Sequence, residues 1–190
     1  MNSHQQSTSK WGTSRERKLN VDAAKFEIAV ERWMGADFVV RNMSGEVELA
    51  GTRRMLTSQT VEAAELSALV WSLRCRQREN TVIKEIELDC KAVVDWIKGR
   101  HLSGVLGHVV EDCLNLTVSI YCDTVLHCPR KCNEVMHLLA KRAKDISEEA
   151  VAWLDISHMP NDIQLVIMRE FRSSFEGFEV GSGFCIPEGC

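Results

Sequence analysis

Hydrophobic and polar positions alternate with a period of two at the start of the folded pattern. Leu19, Val21 and Ala23 alternate with Lys18, Asn20 and Asp22, which predicts a strand with Asp22 near its end. A second strand is predicted over 37–42. Met43-Ser44-Gly45 is a turn signal, and Val47 and Leu49 alternate beyond it, so the chain opens as a meander of three antiparallel strands. The period then changes. Over 60–78, Val61, Ala64, Leu66, Ala68, Leu69 and Leu73 recur at steps of three and four, which predicts a helix capped by Thr60. A strand is predicted over 82–88 (VIKEIEL), with Asp89 directly after it. A short helix over 91–98 follows, with Gly99 in its C′ position. Another helix is predicted over 106–116. A strand over 119–127 is predicted with Ile120, Cys122, Thr124 and Leu126 on one face and Pro129 breaking it. Asn133 caps a last core helix with Val135, Leu138 and Leu139 on its inner side.

The order of elements is three strands, helix, strand, two helices, strand, helix. Strand–helix–strand segments require crossovers and parallel pairing. The expected fold is therefore α/β: a five-stranded mixed sheet, three antiparallel strands with two parallel additions, flanked by helices. Around this expected domain (17–148), residues 1–16 read as a polar, flexible leader. Residues 149–172 read as a C-terminal extension with Trp153, Ile156 and a short helix opened by Pro160. Residues 173–190, rich in Gly and Ser, read as a disordered tail.

Composition narrows the class without naming it. The chain has 190 residues, 45% hydrophobic and 26% charged, which is ordinary for a globular domain. A net charge of −4 argues against a strongly basic wrapper of nucleic acid but leaves a locally basic groove open. No eighteen consecutive apolar residues occur, so no membrane-spanning helix is expected. The N-terminal segment has no apolar core of a secretory signal, so a nuclear or cytoplasmic protein is expected, and the eight cysteines are read mostly as reduced thiols.

The candidate chemistry lies in three acids. Asp22 and Asp89 end predicted strands, and Glu65 sits in the first turns of the first helix. Sites in open sheets lie beyond the carboxyl ends of strands, where these three side chains can converge. Close carboxylates cannot all ionise without a cation, and a hard divalent ion, most simply Mg²⁺, removes the conflict. Acids at strand ends also merely solvate or cap, and spacing alone leaves both readings open.

Several segments carry a family pattern: KLNVDAA (18–24), VVRNMSGEV (39–47), AELSAL (64–69), IELDCKAVVDWI (86–97), HCPRKCNEVMHLLAKRAK (127–144) and WLDISHMPNDIQLVIMREF (153–171). In this order they resemble the ribonuclease H type 1 superfamily, in particular the reverse-transcriptase-like RNase H domains abundant in plant genomes. The resemblance implies an RNase H-like fold and a retroelement descent. It implies metal-dependent endonucleolytic hydrolysis of the RNA strand of RNA–DNA hybrids, with two Mg²⁺ ions, or Mn²⁺, as cofactor. Asp22, Glu65 and Asp89 would be the first three metal-binding carboxylates, with Asp89 between the ions. His137 stands where the family has its fourth acid, and would be a weaker ligand better suited to Mn²⁺ or Zn²⁺ than to Mg²⁺. Ala23 stands where the family has glycine. Asn133 and Arg130 would contact the nucleic acid. The alternative is a domain that keeps the fold and binds nucleic acid or protein without cutting. A third reading, a zinc-binding module, rests on Cys128, Cys132 and His137 beside His127.

Overall fold

Two strands form a long hairpin at the centre of the molecule. The computed structural model describes residues 17–56, 60–79, 82–130 and 134–176. β1 (Lys18–Ile28) pairs antiparallel with β2 (Glu31–Arg41) along its whole length, and β2 pairs antiparallel with β3 (Val47–Leu56). Helix α1 (Val61–Arg78) follows, with the Thr60 hydroxyl accepting from the Ala63 N–H as the predicted cap. Then come β4 (Glu85–Leu88), α2 (Lys91–Gly99), α3 (Gly107–Ser119), β5 (Thr124–His127) and α4 (Glu134–Arg142). β4 pairs parallel with β1, and β5 parallel with β4.

The sheet has six strands rather than the expected five, in the order β5-β4-β1-β2-β3-β6. The sixth, β6 (Ala150–Trp153), lies in the segment read as an extension and covers the edge of β3. Its four residues show no clean alternation, so only the open edge it pairs with reveals it as a strand. α5 (Asn161–Glu176) opens after Pro160 as predicted but runs on past 172, so residues 173–176 are helical. The rest of the predicted tail, 177–190, and the predicted leader, 1–16, lie outside the described residues.

Two packed faces sandwich the sheet. Leu19, Val21, Phe38 and Val40 face α1, α2 and α3, with Leu66, Leu69, Leu73, Val94 and Val110. Val39 and Ala50 face α4 and α5, with Val135, Leu139, Ile163 and Ile167. Arg41, almost fully buried, donates to Glu170 at 2.8 Å and so fastens α5 to β2. A buried guanidinium needs such a partner, because an unpaired charge there is strongly destabilising.

Local differences from the sequence reading have physical causes. β1 does not end at Asp22 but runs on to Ile28, because β2 continues to pair with it and is itself backed by β3 as far as Trp33 opposite Leu56. The strand predicted over 82–88 is paired only over Glu85–Leu88. Gly99 is the last residue of α2 and Arg100, with φ of 50°, takes the left-handed cap. A Cβ on Gly99 would meet only the exposed His101 ring, which can turn aside. The strand predicted over 119–127 begins only at Thr124. Ile120 instead caps α3 and packs into the core, and Val125, not Leu126, faces inward.

One contact sets the distance of α4 from the sheet. A Cβ on Gly35 would lie 2.5 Å from the Ala143 Cβ and 2.7 Å from the Ala140 carbonyl oxygen. Gly35→Ala is therefore expected to push α4 outward and to destabilise by about 1–3 kcal/mol. A denaturant titration showing less than about 0.5 kcal/mol would contradict this close packing.

Candidate active site

The parallel pairing of β1 with β4 ends at Val21 opposite Leu88. The next residues along the two strands are Asp22 and Asp89. Both therefore leave the ladder at the same level, at the carboxyl end of the parallel pair. Glu65, one turn into α1, comes down onto the same point. Ligand atoms of Asp22, Glu65 and Asp89 all lie within 4.8 Å of one another. Asp22 and Glu65 are buried and Asp89 is half-buried, so the cluster opens to solvent on the Asp89 side. It is the group with metal-ligand potential among the described residues.

The electrostatics are those of a crowded anionic pocket. Burial, reinforced by the Asp89 charge, pushes Asp22 up to about 6. Burial and the charges of Asp22 and Asp89 push Glu65 up to about 9. The Ala23 backbone N–H and the Arg130 guanidinium pull both the other way. Glu65 is only 3% exposed, and its Oε2 has no hydrogen-bond partner. A buried, unpartnered carboxylate oxygen aimed among other carboxylates fits a hard cation of the Mg²⁺ or Mn²⁺ class, for which oxygen donors are preferred. Alanine at position 23 does not disturb this. It lies in regular extended strand, outside the positive-φ residues of the described chain, so a Cβ is tolerated.

His137, on α4, faces the cluster. Its Nδ1 is 3.9 Å from Asp22 Oδ2 and 3.0 Å from Arg130 Nη2. Burial, with the nearby charges of Arg130 and Lys141, holds the imidazole below its ordinary value, so it is neutral at pH 7 and makes no ion pair with Asp22. Arg130 lies exposed just before α4. Asn133, the predicted helix cap and nucleic-acid contact, lies outside the described residues.

Other basic and aromatic residues are engaged within the fold. Arg76 is buried, with its guanidinium 5.3 Å from the Phe38 ring centroid, so it belongs to the core and not to a phosphate track. Arg53 is engaged by Glu149, and Arg54 stacks over Trp33 at 5.1 Å. Trp71 packs on Phe38, with centroids 5.1 Å apart. Of the zinc alternative, Cys132 lies outside the described residues, and His127 bonds the Asp89 carbonyl through Nε2 at 3.2 Å.

One residue escaped the sequence reading. Asp37 sits mid-β2, in register with Asp22 on the same face of the sheet. It is fully buried, and neither carboxylate oxygen has a hydrogen-bond partner. The signal was available: a carboxylate inside the apolar run Ala36-Asp37-Phe38-Val39-Val40 is anomalous unless the strand begins there.

The sequence profile of the reverse transcriptase-like family matches residues 22–143. The chain belongs to this family. The reverse transcriptase-like match begins at Asp22 and spans Glu65, Asp89, Arg130 and His137, while β6 and α5 lie beyond it. Solved structures place the family chain in the RNase H-like fold. RNase H1 of the halophilic archaeon Halobacterium salinarum is 21% identical with a TM-score of 0.55, over 68% of this chain and 97% of that one. LC11-RNase H1, isolated from compost and solved in complex with an RNA/DNA hybrid, is 17% identical with a TM-score of 0.58, again over 68% and 97%. The N-terminal RNase H domain of a Mycobacterium tuberculosis protein is 20% identical with a TM-score of 0.56, over 67% and 94%. No curated protein sequence matches the chain significantly.

Proposed function

We propose that this protein is a divalent-metal nuclease that hydrolyses the RNA strand of RNA–DNA hybrids. The observation that carries this reading is the convergence of Asp22, Glu65 and Asp89 at the carboxyl end of the β1–β4 pair, with the Glu65 carboxylate buried and unpartnered. Support comes also from the RNase H-like fold and from a structural neighbour solved on such a hybrid. Magnesium is the simplest cation for an all-oxygen donor set, and manganese the alternative beside an imidazole.

Asp22, Glu65 and Asp89 would hold the metal. When bound there, a divalent cation supplies charge stabilisation at the phosphate and a more acidic water. The chain's own residues do the rest. Asp89, at the open side of the cluster, faces the approaching strand. Buried Asp22 and Glu65 exclude bulk water from behind. Exposed Arg130 offers its N–H fork to a phosphate. In the reaction a bond forms between water oxygen and phosphorus, the phosphorus–oxygen ester bond breaks, and the departing oxygen takes up a proton.

His137 favours a second reading, a domain that binds hybrids without cutting, since the resemblance implies a fourth acid at its place. Cleavage of an end-labelled hybrid by the purified protein, in Mg²⁺ and separately in Mn²⁺, separates the two. Cutting of the RNA strand that disappears in Asp89→Asn is the expected result. Hybrid binding by the folded protein with no cutting in either metal would overturn the nuclease reading in favour of the second.

A further inference from the structure

The side of the centre facing α4 carries a positive charge of its own. Arg130 Nη2 lies 3.0 Å from His137 Nδ1. A guanidinium can only donate, so Nδ1 accepts, the ring is neutral and its proton sits on Nε2. The one lone pair that His137 turns toward Asp22 is thereby already used to hold Arg130. That guanidinium is close enough to Asp22 and Glu65 to stabilise both as carboxylates. The three acids of the cluster carry three negative charges when ionised. One divalent cation and Arg130 balance them. A second divalent cation would leave a surplus of two positive charges in a partly buried pocket, next to a fixed guanidinium and with no free ligand from His137.

Resting on the nuclease reading above, we infer that this centre takes a single divalent cation, and that Arg130, oriented by His137, supplies the second positive charge to the substrate phosphate. Arg130 touches the substrate. His137 is a positioning residue that acts through Arg130. This departs from the two ions implied by the resemblance, and the departure follows from the imidazole on α4.

The test counts cations without relying on activity. Mn²⁺ is titrated into the full chain and followed by electron paramagnetic resonance and by calorimetry. One Mn²⁺ per chain is expected for the unaltered protein, and two for the double variant Arg130→Ala, His137→Asp, which regains a ligand and loses the fixed charge. Two Mn²⁺ in the unaltered protein would overturn the inference and leave the nuclease reading standing. None would remove the metal centre itself, and the nuclease reading with it. Positioning is read from a pair of variants. His137→Ala is expected to keep one Mn²⁺ per chain but lose at least roughly tenfold in hybrid cleavage, while His137→Gln, whose amide oxygen can accept from Arg130, recovers most of it. Equal cleavage by the two variants would sink the positioning role.

Discussion

Glu65→Gln is expected to raise the melting temperature of the cation-free protein while removing its cleavage activity. Few substitutions should move stability and function so far in opposite directions. Glu65 is buried and pushed up to about 9 by burial and by Asp22 and Asp89. Unfolded, the same side chain titrates at an ordinary value near 4.5. Between these values the folded state holds a proton that the unfolded state has released, so stability falls as pH rises through that window. At pH 7 the accumulated cost is about 3 kcal/mol, at about 1.4 kcal/mol per unit above 4.5. Glutamine keeps the shape and removes the titration. For a chain of this size the gain is on the order of 10 °C at pH 7, shrinking toward pH 5. Thermal unfolding in chelator at both pH values checks it, and a variant no more stable than the parent at pH 7 would contradict the crowded-pocket picture. Glutamine also deprives the cluster of one anionic ligand. Added Mg²⁺ should stabilise the parent and scarcely the variant, and cleavage should fall by about 10³-fold, several kcal/mol of transition-state stabilisation.

The second large effect belongs to Asp37. Its carboxyl is fully buried in the middle of the sheet and held well above the usual carboxylate range, first by burial and then by the Asp22 charge. The Thr52 hydroxyl, its register partner on β3, pulls the other way. Even so, neither Asp37 oxygen nor Thr52 Oγ1 completes a hydrogen bond. The sign is again that of a raised acid. The stabilising proton is fully retained in both states below about 3.9 and is lost from the unfolded chain above it, so stability declines as pH rises toward the folded value. Each pH unit in this window costs up to about 1.4 kcal/mol. Asp37→Asn should flatten the slope of unfolding free energy against pH above about 4 by up to that amount. Urea titrations across the range would show it, and an unchanged slope would mean that Asp37 is ionised in the folded protein. The residue lies outside the three-acid group, so Mn²⁺ stoichiometry should be untouched.

The chemistry was legible where local pattern and function coincide. The Thr60 cap, the apolar spacing of α1 and the run from Ile86 to Asp89 place Glu65 and Asp89 without any tertiary knowledge, because caps, helix period and a strand followed by a helix are local. Asp37 was not legible because its β2 reads as starting there, and only pairing with both neighbours shows it to be central. Arg76 stands between Arg74 and Arg78 with no local sign of its place, and only the fold shows its guanidinium buried over the Phe38 ring.

By itself, the sequence determined the element order through α4, the mixed sheet and the places of Asp22 on the first strand, Glu65 at a helix start and Asp89 at a strand end. These follow from periodicity, capping and short connections, all of which act over a few residues. Tertiary structure decided the rest. It added β6 to the open edge of β3, and it carried Asp22 to the level of Asp89 by ending the β1–β4 ladder one residue before each. It brought His137 of α4 to 3.9 Å from Asp22 of β1, and it packed α4 on Gly35, where the lack of a Cβ permits close approach. Long-range pairing and close approach depend on which surfaces meet, and no local pattern encodes that.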